Sequence, residues 1–162
     1  PGDHSLGLFI NYQNRATITA NEVQYVQIWL QAPITIKTLE AFVNASPGGN
    51  VILGLYSQTT PLSFSGLPNS QVATTFATGT AVSVAGYQVI SLVANYSVLT
   101  TGYYWLAHIG SNTSVKWQST ANMPIGFTQI QFETRGSFTL PATATPSAYA
   151  VATPVLYMAA TE

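Results

Sequence analysis

The chain has 162 residues, enough for one domain with a sizeable core, yet only 6% of them are charged and 47% are hydrophobic, where soluble domains carry about 25% charge. Its four cations, Arg15, Lys37, Lys116 and Arg135, make no basic stripe, and it has no cysteine; nucleic acid, disulfides and thiolate metal sites are set aside. No apolar run reaches the ~18–20 residues of a membrane-spanning helix, so membrane insertion is not expected, and the scarcity of charge points instead to self-association that hides part of the surface.

Residues 1–20 are loosely patterned and read as a connecting segment or a first strand; 21–162 read as one β-sandwich domain. "VQYVQIWLQA" (23–32) alternates only partly, because Tyr25 and Trp29 lie on its nominally outer face. "ITIKTLEAFV" (34–43) divides into Lys37, Leu39, Ala41 and Val43 on one face and Ile36, Thr38, Glu40 and Phe42 on the other. "SPGGN" (46–50) is a turn, and "VILGLYS" (51–57) is an apolar strand with an internal glycine. A long loop with two prolines, 58–70, precedes strands at 71–78 and 86–92. "YSVLTTGYYWLAHI" (96–109) follows, then the turn "GSNTS" (110–114), a short strand at 114–118 and "FTQIQFET" (127–134). "RGSFTLPATATPSA" (135–148) is extended and punctuated by prolines. "YAVATPVLYMAA" (149–160) closes the chain. About eight to ten short antiparallel strands, with turns between them and no amphipathic helix, make an all-β sandwich.

Chemistry has few residues to work with. A glycosidase needs two carboxylates across a cleft; Glu40 and Glu133 both lie in strands, but no spacing pairs them. Asp3, the sole aspartate, would have to serve any Ser–His–Asp triad with His4 or His108, and no nucleophile-elbow motif is present. The chain therefore reads as non-enzymatic, without a metal or cofactor. Aromatic rings beside amides are the remaining binding chemistry, since they offer stacking area and partners for sugar hydroxyls. Near strand ends, Trp117, Tyr56 and Trp29 are candidate platforms, with Asn112, Asn69 and Gln118 as polar partners.

"LTTGYY" carries Leu99, Gly102 and Tyr104 at the spacing of a tyrosine corner, in which a phenol bonds back to the chain a few residues upstream. That spacing makes these three structural and turns the Tyr104/Leu106 face toward the core. The opposite face, Tyr103, Trp105 and Ile109, is then an apolar stripe in need of cover. A subunit interface is expected there; the alternative is a loop of the same chain, 135–148.

The stretch Leu53–Ser57, Pro68–Thr75, Gly79, Gly86–Leu92 and Leu99–Ala107, with "LPATATPSAYAVATPVLYMA" (140–159) after it, resembles the C-terminal β-sandwich domain of bacteriophage tail-fibre proteins and other virion attachment proteins. The resemblance spans roughly residues 40–159 and rests on packing and turn residues. That family often has a basic residue near the end of its last strand, where Leu156–Tyr157–Met158 is apolar here. The resemblance implies a jelly-roll-like sandwich, a homotrimer, and a place at the fibre tip of a virion, acting outside the host cell on a surface carbohydrate or protein receptor. The expected function is non-enzymatic attachment to host glycan. The rivals are an oligomerisation or capsid-decorating domain without ligand, and a carbohydrate-binding module of a secreted glycoside hydrolase.

Overall fold

A computed structural model describes residues 14–17, 19–45, 48–82, 84–113, 116–120, 130–149, 155–156 and 158–161, and there is no helix among them. The strands are β1 (Asn14–Thr17), β2 (Glu22–Leu30), β3 (Ile34–Ala45), β4 (Asn50–Gln58), β5 (Pro68–Thr74), β6 (Thr80–Ala81), β7 (Gly86–Val98), β8 (Gly102–Gly110), β9 (Lys116–Thr120), β10 (Ile130–Thr134), β11 (Ala148–Tyr149), β12 (Val155–Leu156) and β13 (Met158–Thr161). They form two antiparallel sheets. The first runs β1-β9-β3-β13, with β12 paired to β9 and β7 to β3; the second runs β11-β10-β2-β8-β4-β5, with β6 also paired to β4. The chain is thus an all-β sandwich.

Between the sheets lies one apolar core. Ile36, Leu39, Ala41, Ile90, Leu92 and Val98 enter it from the first sheet, and Leu30, Val51, Leu53, Leu55, Tyr104 and Leu106 from the second. Strict alternation separates Ile36 from Leu39, yet both are buried. The reason is a bulge: the β3–β7 register breaks between Ile36 and Thr38, whose partners are Tyr96 and Ser91. The irregularity turns Ile36 inward and leaves Lys37 exposed.

At the start of β8, the Tyr104 hydroxyl donates to the Thr100 carbonyl at 3.1 Å, the bond that the corner spacing predicts. Burial pushes this phenol's pKa up to about 12. Gly102 is required by close approach, because a Cβ there would stand 2.7 Å from the Pro61 carbonyl oxygen. Leu99, grouped with them from the sequence, takes no part in the packing: it is 82% exposed, since the chain turns outward ahead of the strand.

The other face of the second sheet carries a second core of Val23, Tyr25, Ile52, Tyr56, Trp105, Ala107 and Ile109. Its cover is residues 135–147 of the same chain. Phe138, Leu140 and Ala144 pack onto it, and Leu140 sits so close that a Cβ on Gly54 would meet its Cδ1 at 2.7 Å, which explains the glycine inside β4. The expected subunit interface is therefore corrected for Trp105 and Ile109. Both are fully buried beneath their own strap, and only Tyr103, at the end of the stripe, keeps partial exposure.

The strap also fixes the sheet's curvature. Thr143 bridges Ser70 on the edge strand β5, with Gln71 N–H donating to Ala142 O at 2.9 Å and Ala144 N–H to Asn69 O at 2.7 Å. Three residues later, Ser147 N–H donates to Phe132 O at 2.9 Å on β10, beyond the opposite edge of the sheet's main body. Three residues span at most about 10 Å. In a flat sheet the two positions would be six strand spacings apart, about 29 Å. The sheet must curl until β5 and β10 approach each other, and the strap closes the remaining gap around the second core.

Candidate functional site

Beyond the reach of the strap, the outer face of the second sheet ends in Trp29 and Tyr103, directly paired across β2 and β8. Their rings meet edge to face, 4.8 Å apart at 74°. Phe64, from the loop after β4, meets Tyr103 in the same way at 5.8 Å and 74°. Trp29 is 46% exposed and Leu62, on the same loop, 75%. The three rings make an aromatic shelf at the surface.

One buried residue, Gln58, builds the loop that carries Phe64. Its Oε1 accepts Trp105 Nε1–H at 3.0 Å and Gln27 Nε2–H at 2.6 Å. Its Nε2 donates to the carbonyls of Thr60 at 2.7 Å and Ser63 at 2.6 Å. Both donors and both lone pairs of the amide are used. The loop closes on itself through Thr59 N–H to Leu67 O at 3.0 Å and docks on β8 through Tyr103 N–H to Pro61 O at 2.7 Å. Gln27 adds a bond from its Nε2 to Phe64 O at 3.0 Å. Gly66 leaves room for the central amide, since a Cβ there would lie 2.5 Å from Gln58 Nε2. The result is a compact, internally bonded loop that holds Phe64 in place.

Of the platforms expected from the sequence, Trp29 is in the shelf. Tyr56 is corrected: it is fully buried in the second core, edge to face with Tyr25 at 5.2 Å, and its hydroxyl donates to Pro141 O at 2.6 Å. Burial raises its pKa and that of Tyr25. Asn69 is half-buried on β5, where its backbone carbonyl serves the strap. Asn112 donates from Nδ2 to Gly48 O at 3.3 Å and so joins two turns, away from the shelf. Trp117 and Gln118 lie on β9 in the other sheet, opposite Ala16 and Arg15 of β1; their side chains are outside the described residues. Tyr103, Phe64 and Gln58 were not singled out as binding residues. Tyr103 had a signal in its register with Trp29. Phe64 and Gln58 had none, because only the folded loop brings them to the ring pair.

The carboxylates do not converge either. Glu40 is on the first sheet and Glu133 on the second. Glu133 is buried, not solvated as a strand glutamate usually is. Its Oε2 accepts Tyr25 O–H at 2.9 Å and Thr145 N–H at 2.8 Å, and its Oε1 accepts Thr145 Oγ1–H at 3.0 Å and Arg135 Nη1–H at 2.7 Å. Burial alone would raise its pKa. The bonds from Thr145, Tyr25 and Arg135 outweigh that and hold it below the usual glutamate value. This carboxylate fastens the strap to β10 and β2. Among the described residues no group of three or more His, Cys, Asp or Glu is placed to hold a metal.

No protein-family model matches the chain, and neither does any curated protein or any solved structure.

Proposed function

We propose that this chain is a non-enzymatic attachment domain from the fibre tip of a virion, and that it binds host cell-surface carbohydrate on the Trp29–Tyr103–Phe64 shelf. The observation that carries the reading is the shelf itself: Trp29, 46% exposed, and Phe64 each pack on Tyr103, and the loop that brings Phe64 there is held by a saturated buried amide. Rigid aromatic surface gives a sugar stacking area at little entropic cost. The two strand carboxylates, Glu40 and Glu133, lie on different sheets, and Glu133 is committed to fastening the strap. The virion setting rests on the resemblance of residues 40–159 to tail-fibre domains. The reading keeps a trimeric fibre tip but not Trp105 and Ile109 as its contact.

The test is binding of the fluorescently labelled domain to host cells before and after enzymatic removal of their surface polysaccharide, with Trp29→Ala and Tyr103→Ala alongside. Removal should abolish labelling, and each substitution should weaken it at least tenfold, about 1.4 kcal/mol. Equal labelling of stripped cells, or full binding by both variants, overturns the proposal.

A further inference from the structure

We infer that the sugar taken by this shelf is uncharged, a neutral pyranose whose apolar face lies on the rings and whose hydroxyls meet amides and hydroxyls. The inference rests on the carbohydrate reading above and adds the ligand's class. Three observations carry it.

The first is the position of charge. On the second sheet the charged residues gather at one end: Glu133 is paired with Val23, and Thr134, next to Arg135, is paired with Glu22. Trp29 is six residues along β2 from Val23, about 20 Å away. Lys37 and Glu40 are on β3, Arg15 on β1 and Lys116 on β9, all in the other sheet. At that separation, in salt, none of the charges placed on the second sheet can offset the desolvation of a carboxylate or sulfate ester on the shelf.

The second is the chemistry of the rim. Ser63 and Ser65 flank Phe64 in sequence and bond to each other through exposed hydroxyls 2.9 Å apart. Gln31 follows Trp29 by two residues and is exposed. These are neutral groups that both donate and accept, as sugar hydroxyls do.

The third is an acceptor under the shelf. Gln27 is 4% exposed, and its Nε2 donates to Phe64 O. The Oε1 of the same amide has no donor within the described chain. That atom is closed to solvent and the amide's N–H groups are already given to Gln58 and Phe64, so this amide offers no donor to an anionic group.

The experiment is an array of neutral hexose oligosaccharides and of carboxylated and sulfated ones. It is read with the intact domain at about 10 mM and about 1 M NaCl, where screening lengths are about 30 Å and 3 Å, and repeated with Trp29→Ala. The expected result is binding to neutral glycans that changes less than about twofold between the two salts and falls at least tenfold in the variant. Binding confined to acidic glycans, or more than tenfold weaker in high salt, overturns this inference while leaving the carbohydrate reading in place. Neutral-glycan binding that Trp29→Ala does not affect overturns the assignment to the shelf. Binding to no glycan while host cells are still labelled overturns both.

Discussion

Replacing Glu133 by glutamine should loosen the strap by a predictable amount. The carboxylate has one oxygen on Tyr25 O–H and Thr145 N–H and the other on Thr145 Oγ1–H and Arg135 Nη1–H. A glutamine must turn its NH2 toward one of these pairs. The two hydroxyls can rotate to accept; the Thr145 amide and the Arg135 guanidinium cannot. One obligate donor is therefore left facing a donor. A hydrogen bond to a charged group contributes about 1.5–3 kcal/mol, and an orphaned buried donor costs about 1–3 kcal/mol. Arg135, a third exposed, retains solvent and loses less. The sum is about 3 kcal/mol, a fall in Tm of about 6–12 °C for a chain of this length, measurable by calorimetry at neutral pH. The pH dependence adds a second check. Because the folded pKa lies below 4.5, the unfolded state takes up its proton first. The stability from Glu133 is intact above about 4.5 and is lost as pH falls through the folded value. The gap between wild type and Glu133→Gln should narrow under acid. A fall in Tm of less than about 2 °C, or a gap that stays constant under acid, refutes the account of Glu133 as the strap's fastening.

His108, completely buried and pushed down to a pKa of about 3 from 6.5, stays neutral in the fold while the unfolded chain protonates. Stability should fall as pH drops from about 6.5 toward 3, by up to about 1.4 kcal/mol per unit, and urea midpoints of His108→Gln should be flatter between pH 6.5 and 4.5, above the range where Glu133 acts. Tyr104→Phe removes the hydroxyl's bond to Thr100 and its interaction with Tyr96 and should cost about 1 kcal/mol, or 2–4 °C in Tm. Gln58→Leu orphans the Trp105 indole and frees the Thr60 and Ser63 carbonyls; a loss of about 3 kcal/mol and faster protease cleavage within 59–67 should accompany it.

The part of this architecture that depends on local pattern was readable. Alternation in β8 sends Tyr104 and Leu106 inward, and the corner spacing locates the Tyr104 bond. The question it raised, what covers Trp105 and Ile109, had two answers in the sequence, and the structure selects the strap over a neighbouring subunit. Nothing local distinguishes them, because the decision rests on the curl of the second sheet, a property of six strands together. The curl also explains why Tyr56 looked like a platform: on a flat sheet its ring would be outside. Ile36 was misplaced because a bulge leaves no mark in a run of Ile, Thr and Lys. Glu133 and Arg135, two apart in sequence, were a readable pair, but the burial of Glu133 against Thr145 of the strap was not. The shelf was half visible, in Trp29, while the loop that completes it is organised by a glutamine indistinguishable in sequence from the exposed ones.

The strap has a consequence for the order of folding. The bonds that hold it join residues far apart in the chain: 108 positions separate Tyr25 from Glu133 and 85 separate Tyr56 from Pro141. Closing such long loops is slow. During synthesis β2, β4 and β8 emerge first and can pair, with Tyr25, Tyr56 and Trp105 still facing solvent. The segment that hides them arrives only when the ribosome has passed residue 147. Until then the nascent chain displays a sticky aromatic sheet face, and its hazard of aggregation is greatest just before the strap emerges.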